Sequence, residues 1–234
     1  MPSTVDDLIR DIRSGFVAQA NPEIAGPQQA YMKSEIPFHG LKAATVRSVM
    51  KPLLKQHTLR SVEEWELAIR TLWDTVTHRE DWYAALAIAE YGRYRDYRTA
   101  LEVIPLYDHM IRTGAWWDVC DGIANSLVGG LLMAQREDTS AVMRQWSTDE
   151  HLWIRRCSIL SQNRHREKTD AVLLRDCILP SIDDTDFFSR KAIGWALRDY
   201  SRVDPAWVTA FVTEFEDRLS GLSKREALRN IPAS

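Results

Sequence analysis

Apolar residues recur at helical spacing through almost all of this 234-residue chain, and no stretch sustains the strict alternation of a half-buried strand. That rhythm predicts an all-α fold. Ser61-Val62-Glu63-Glu64 reads as a capping box, after which Trp65, Ile69 and Leu72 line one helical face up to Asp74. A partner helix is expected from Glu80 to Tyr91, stopping at Gly92. The same reading predicts Tyr97 to Arg112 paired with Trp117 to Gln135, and Thr139 to Trp146 with Glu150 to Arg164. It continues with Asp170 to Leu179 beside Asp186 to Tyr200, and Pro205 to Leu219 beside Lys224 to Asn230. Pair starts near 61, 97, 139, 170 and 204 lie 31 to 42 residues apart, the range in which stacked helix pairs build a solenoid. The expectation is an α-α superhelix with a concave face; because the pairs share little sequence, an irregular bundle is the alternative. Residues 1–59 should add N-terminal helices, broken at Asn21-Pro22, and with no low-complexity linker the whole of 1–234 is expected to be one domain.

Composition narrows the class further. At 45% hydrophobic, with only 10 Gly and 9 Pro, the chain can bury a core and is not of a disordered or fibrous type. Its longest apolar runs, Ala84 to Ala89 and Leu127 to Ala134, fall far short of the roughly 20 residues that cross a bilayer. Met1 to Arg13 lacks the apolar core of a signal peptide, so a cytoplasmic protein starting at Met1 is expected. Cys120, Cys157 and Cys177 are odd in number and widely spaced, and read as reduced core residues. The formal net charge of −3 conceals an uneven distribution: residues 31–60 carry six bases against one acid, 61–150 eight against sixteen, and 151–202 ten against seven. A solenoid could gather the two basic segments on its concave face, where they would suit a polyanion; ordinary solvated helix faces would give the same counts.

Several site types are missing. Neither a Walker-type nor a dinucleotide-type glycine loop is present, nor H-E-x-x-H, nor G-x-S-x-G, and the six His are scattered without ligand spacing. Neither a metal nor a cofactor is expected. What remains are tryptophans, of which there are 9, a high number for a side chain that is costly to place idly. In Trp116-Trp117-Asp118-Val119-Cys120-Asp121, Trp117 and Asp121 are i and i+4 and share a helical face. Trp153-Ile154-Arg155-Arg156 is a second cluster. In a third, Lys191 to Arg198, Gly194 stands mid-helix, where it could admit a close neighbour that a larger side chain could not, and Trp195 and Arg198 are i and i+3. Singly, each cluster also reads as core packing with a solvated charge. A face gathering Trp117, Asp121, Arg156 and Trp195 would offer aromatic planes and a carboxylate to a cationic guest, and a guanidinium to phosphate.

The ordered set of segments is more specific than any one of them. Asn21-Pro22 with Tyr31-Met32-Lys33, Phe38-His39-Gly40 followed by Arg47, Leu72-Trp73-Asp74, Trp116-Trp117-Asp118 with Asp121, Trp153 with Arg156, Phe187-Phe188 running into Lys191 to Arg198, and Leu222 to Ala227 occur in sequence over residues 21 to 227. In this the chain resembles the AlkD-like bacterial DNA alkylation repair glycosylases, built from HEAT-like helical repeats. The resemblance implies a HEAT-like solenoid with a concave DNA-binding face that hydrolyses the N-glycosidic bond of N3- or N7-alkylated purines in duplex DNA. It implies Asp121 as the catalytic carboxylate, with Trp117 and Trp195 against the lesion nucleotide. Arg156 would hold backbone phosphate, and Tyr31, Arg164, Lys33 and Arg198 are carried along as further DNA-binding positions. A monomer acting without lyase chemistry is expected. The competing class is a HEAT-type scaffold that binds DNA or protein without reacting, since fold alone does not imply activity.

Overall fold

The computed structural model describes residues 4–232; the extreme ends of the expected 1–234 domain, including Met1, lie outside them. It is all-helical, with no strand among the described residues. The chain packs as two compact units, Met1–Arg98 and Thr99–Ser234.

The first unit comprises α1 (Val5–Ala18), α2 (Pro22–Met32), α3 (Ala43–Gln56), α4 (Val62–Asp74), α5 (Arg79–Glu90) and the short α6 (Arg95–Arg98). Thr4 closes a capping box with Asp7 at the start of α1, and the buried Leu8, Ile9, Ile12 and Phe16 form its inward stripe. As expected, the chain breaks at Asn21-Pro22: the Asn21 side chain accepts from the Glu23 N–H, and Pro22 opens α2 where its missing N–H costs nothing. α1 packs on α3 and α4, and α4 on α5, around Trp65, Ile69, Leu72 and Trp73. Trp73 stacks on Trp82 with ring centroids 4.8 Å apart, and the Trp82 indole N–H donates to the Trp73 carbonyl at 2.9 Å. The expected capping box at α4 is only half made. Ser61 accepts from the Glu64 N–H, while the Glu64 carboxylate takes the Arg60 N–H instead.

One buried carboxylate organises the loop before α3. Glu80 is wholly buried and accepts the backbone N–H groups of His39, Gly40 and Leu41 at 3.0 to 3.1 Å. Gly40 has φ +85°, and a Cβ there would stand 2.1 Å from the Asn21 carbonyl oxygen, so only glycine fits this turn.

The second unit contains α7 (Ile104–Gly114), α8 (Trp117–Gly122), α9 (Gly129–Ala134), α10 (Arg136–Ser147), α11 (Leu152–Leu160), α12 (Ala171–Ile178), α13 (Phe187–Tyr200), α14 (Pro205–Glu214) and α15 (Gly221–Ala227). α10 packs on α11 and α12, α11 on α13, and α13 on α14 and α15, so helices meet both their chain neighbour and the helix two along. That relation belongs to stacked helix pairs, each covering the face its predecessor leaves bare. The predicted helix over Tyr97 to Arg112 does not form as one element. α6 ends at Arg98, Ala100 is extended, and α7 begins at Ile104 with Pro105 in its first turn, the place in a helix that tolerates proline. The helix expected from Glu150 to Arg164 is shorter too, running from Leu152 to Leu160. No helix among the described residues is long and apolar enough to cross a membrane. Cys120, Cys157 and Cys177 are buried free thiols, and burial pushes Cys177 up to about 12.

Candidate active site

The helix that carries Asp121 is not uniform. α8 passes without a break into a π-helical segment, Ile123–Val128, and from there into α9. Its buried apolar side chains are Val119, Cys120, Ile123, Ala124, Leu127, Val128, Leu131 and Leu132, which are pairs repeating every four positions. A regular α-helix, at 3.6 residues per turn, would let such a stripe drift around its surface; the wider π turn holds it straight. The same repeat sets Trp117, Asp121 and Asn125 in line on the opposite, half-buried side.

Asp121 meets Arg156 of α11 in a two-pronged ion pair: Arg156 Nε donates to Oδ1 at 2.8 Å and Nη2 to Oδ2 at 2.9 Å. The third guanidinium nitrogen, Nη1, donates to the carbonyl of Phe188 in the first turn of α13. Three elements therefore converge on one cation. Arg156 is 1% exposed, whereas the Asp121 side chain keeps 18% of its surface open. The guanidinium lies 5.5 Å from the Trp195 ring centroid and 5.9 Å from those of Trp153 and Phe188. Arg156, expected to hold a DNA phosphate, makes its contacts in this structure with Asp121 and the Phe188 carbonyl. Three of the five N–H donors of this buried guanidinium are engaged within the protein, two of them on Asp121, so Arg156 orients the carboxylate.

The tryptophan doublet splits. Trp116 joins Trp153 and Phe188 in an aromatic cluster with centroids 4.9 to 5.9 Å apart, while Trp117 is half-buried on the Asp121 face. Trp195, also half-buried, lies between cations: Lys191 Nζ is 5.6 Å and Arg198 Cζ 6.0 Å from its centroid. Both cations pair with Glu226 of α15. Gly194 has the close neighbour its mid-helix position implied; a Cβ there would be 2.6 Å from the Glu226 Cβ and 3.1 Å from the Ser223 carbonyl oxygen.

Asp121, Arg156, Trp195 and Arg198 are thus brought together within the second unit, with Trp117 one turn from Asp121. Arg164 stands outside this group, exposed in the loop after α11 at φ 70°, its N–H bonded to the Asp199 carboxylate at 2.6 Å. Tyr31, 75% exposed, and Lys33, exposed at φ 50°, belong to the first unit. The first unit also carries a feature the charge count only hinted at. On α3, Arg47, Lys51 and Lys55 recur every fourth residue, about 6 Å apart along the axis, exposed and unpaired with any carboxylate among the described residues. Such a row suits a phosphate backbone. Sequence reasoning missed Glu226, although the Gly194 it singled out marks where that carboxylate comes close. No group of His, Cys, Asp or Glu among the described residues could hold a metal ion.

A solved structure described as a predicted DNA alkylation repair enzyme from Enterococcus faecalis superposes with a TM-score of 0.82 at 30% identity, over 92% of this chain and 98% of that one. The curated proteins yield no match. The model of the family described as DNA alkylation repair enzyme matches residues 12–231, nearly the whole chain, and this protein belongs to that family.

Proposed function

We propose that the protein is a monofunctional DNA glycosylase that hydrolyses the N-glycosidic bond of cationic N3- or N7-alkylated purines, such as 3-methyladenine and 7-methylguanine, in duplex DNA. It would act as a monomer in base excision repair, with residues 1–234 as one functional domain. The observation that carries the reading is Asp121: a carboxylate clamped in one orientation by Arg156, still open to solvent, with Trp195 packed on the same guanidinium.

An alkylated purine already carries the positive charge that makes it a leaving group. When the bond from C1′ breaks, both electrons go to the base, which departs neutral and needs no general acid. The sugar is left as an oxocarbenium-like cation, and a fixed anion close by lowers the energy of that charge, as carboxylates do in glycosidases. Water then adds at C1′ and gives up its proton to solvent. Arg156 occupies one lone pair on each Asp121 oxygen, so the carboxylate keeps sites to orient that water. The indoles of Trp117 and Trp195 add attraction for the cationic base and sugar. Selectivity rests on the lesion's own charge, so uracil, a neutral lesion, is not released. Lys191, an amine beside Trp195, is held as an ion pair with Glu226 and is assigned no attack on the sugar, so the abasic product is not cleaved.

One observation favours a binding scaffold instead: the Asp121–Arg156 pair also serves as a structural tie between α8 and α11. Release of 7-methylguanine and 3-methyladenine by the wild type and by Asp121→Asn, with DNA binding followed in parallel, separates the two. The glycosylase reading expects release by the wild type, strongly reduced in the variant while binding persists. No release by either, with binding intact, leaves the scaffold.

A further inference from the structure

Glu226 has no part in the chemistry above, yet it touches more of the site's charge than any other acid. It lies on α15, largely buried. Its Oε1 accepts from Lys191 Nζ at 2.7 Å and its Oε2 from Arg198 Nη1. Those are the two cations that flank the Trp195 ring on its own helix, while Arg156 approaches the ring from α11. The contact exists because α13 and α15 approach unusually closely. Gly194 leaves room for the Glu226 stem, and the Ser223 hydroxyl, one turn away, ties α15 to the Arg190 carbonyl at 2.9 Å. Around Trp195 and Asp121, three cations then face two carboxylates; without Glu226 they would face one.

That imbalance matters for a cationic guest. An indole ringed by uncompensated cations attracts phosphate and repels a positively charged base, whereas a compensated one retains its pull on both. We propose, building on the glycosylase reading, that Glu226 is a specificity-determining residue: by holding Lys191 and Arg198 beside Trp195 while cancelling one of their charges, it keeps this surface receptive to a cationic nucleobase next to the DNA backbone. Its own carboxyl group is held below the usual range by the Lys191 hydrogen bond and the nearby Arg198, so the compensating charge is present throughout the neutral range.

The test uses the full chain and two duplexes, identical except that one carries a single 7-methylguanine, with binding followed across a salt series. Glu226→Gln, which keeps the shape and removes the charge, is expected to bind the unmodified duplex about two- to fivefold more tightly, with a salt slope steeper by about one ion. Its preference for the lesion duplex should fall by a similar factor. Glu226→Asp, and the double variant Lys191→Gln/Glu226→Gln, which restores the charge balance, should both move back towards the wild type. A Glu226→Gln protein with the wild-type salt slope overturns the proposal. So does a double variant no nearer the wild type than the single one, because loss of packing alone would not be repaired by removing a second hydrogen-bonding group. Failure of the glycosylase reading would show separately, as a wild type that releases no base, and the salt slopes on unmodified DNA still decide the role of Glu226.

Discussion

Replacing Arg156 with methionine separates the role seen in the structure from the one that resemblance assigns. The guanidinium is 1% exposed and makes three bonds, two to Asp121 and one to the Phe188 carbonyl. Removing one partner of a buried ion pair typically costs about 3–5 kcal/mol, because the other charge stays behind uncompensated. Here the residual 18% exposure of Asp121 lets water recover part of that, and methionine fills most of the vacated apolar volume. A loss of about 3 kcal/mol results, which for a chain of this size lowers Tm by roughly 6–12 °C. Thermal melting followed by circular dichroism measures it, with duplex-DNA affinity measured over a salt series on the same samples. An orienting Arg156 gives a large fall in Tm and an unchanged salt slope. A Tm within a degree or two of the wild type, with the slope reduced by about one ion, would refute the argument and return Arg156 to the phosphate backbone.

Three further outcomes are expected. Replacing Arg47, Lys51 and Lys55 together with alanine removes an exposed, unpaired row; Tm should hold within about 1 °C while the salt slope of duplex binding falls by up to roughly 3 ions, and an unchanged slope would remove α3 from the DNA interface. Glu80→Gln leaves one of three bonded N–H groups facing an amide N–H₂ in a wholly buried position, and should cost about 3 kcal/mol in urea unfolding; a loss under about 1 kcal/mol would contradict the role given to this carboxylate. His39, His151 and His165 are all held below 6.5, chiefly by burial, so the unfolded chain binds protons more readily than the folded one. The stability this gives is present above about pH 6.5 and is lost as pH falls towards the folded values, so the urea midpoint should drop between about pH 7.5 and 5.5. A flat or rising midpoint over that interval would reverse the sign.

Much of this molecule was legible in its residues, and where legibility ends has physical causes. Spacing of apolar side chains located most helices, because a buried stripe must follow the backbone period whatever it packs against. Asn21, Asp170, Asp186 and Asp204 cap the helices that follow them. Boundaries failed where a local competitor decided: Pro105, which has no N–H to give a preceding turn, stands in the first turn of α7, and Asp149 took the His151 N–H and delayed the start of α11. The proximity of Asp121, Arg156 and Trp195 followed from resemblance alone, since no spacing along the chain reveals which helices stack. What each does once there was less visible. Arg156 reads identically in sequence whether it faces phosphate or a buried carboxylate; burial alone tells the two apart. Gly194 was noticed without its reason, because the carboxylate that needs the space lies 32 residues further on. The π-helical turn left a trace, the fourfold repeat of buried pairs from Val119 to Leu132, which differs from an α-helical stripe only when counted over three turns.

That turn inverts the usual rule for insertions and deletions. In an ordinary helix, losing one residue swings everything beyond it by about 100° and empties the core. Between Ile123 and Val128 the backbone already carries surplus, so a one-residue deletion would leave a more regular α-helix. The regular version is nonetheless the damaged one. With α9 held by the close approach of Gly129 to the Ser161 carbonyl, the rotation would fall on α8 and swing Asp121 away from Arg156. The local irregularity therefore acts as a phase standard: it sets the angle at which the carboxylate faces its partner, and any drift in chain length within those six residues is read out at Asp121.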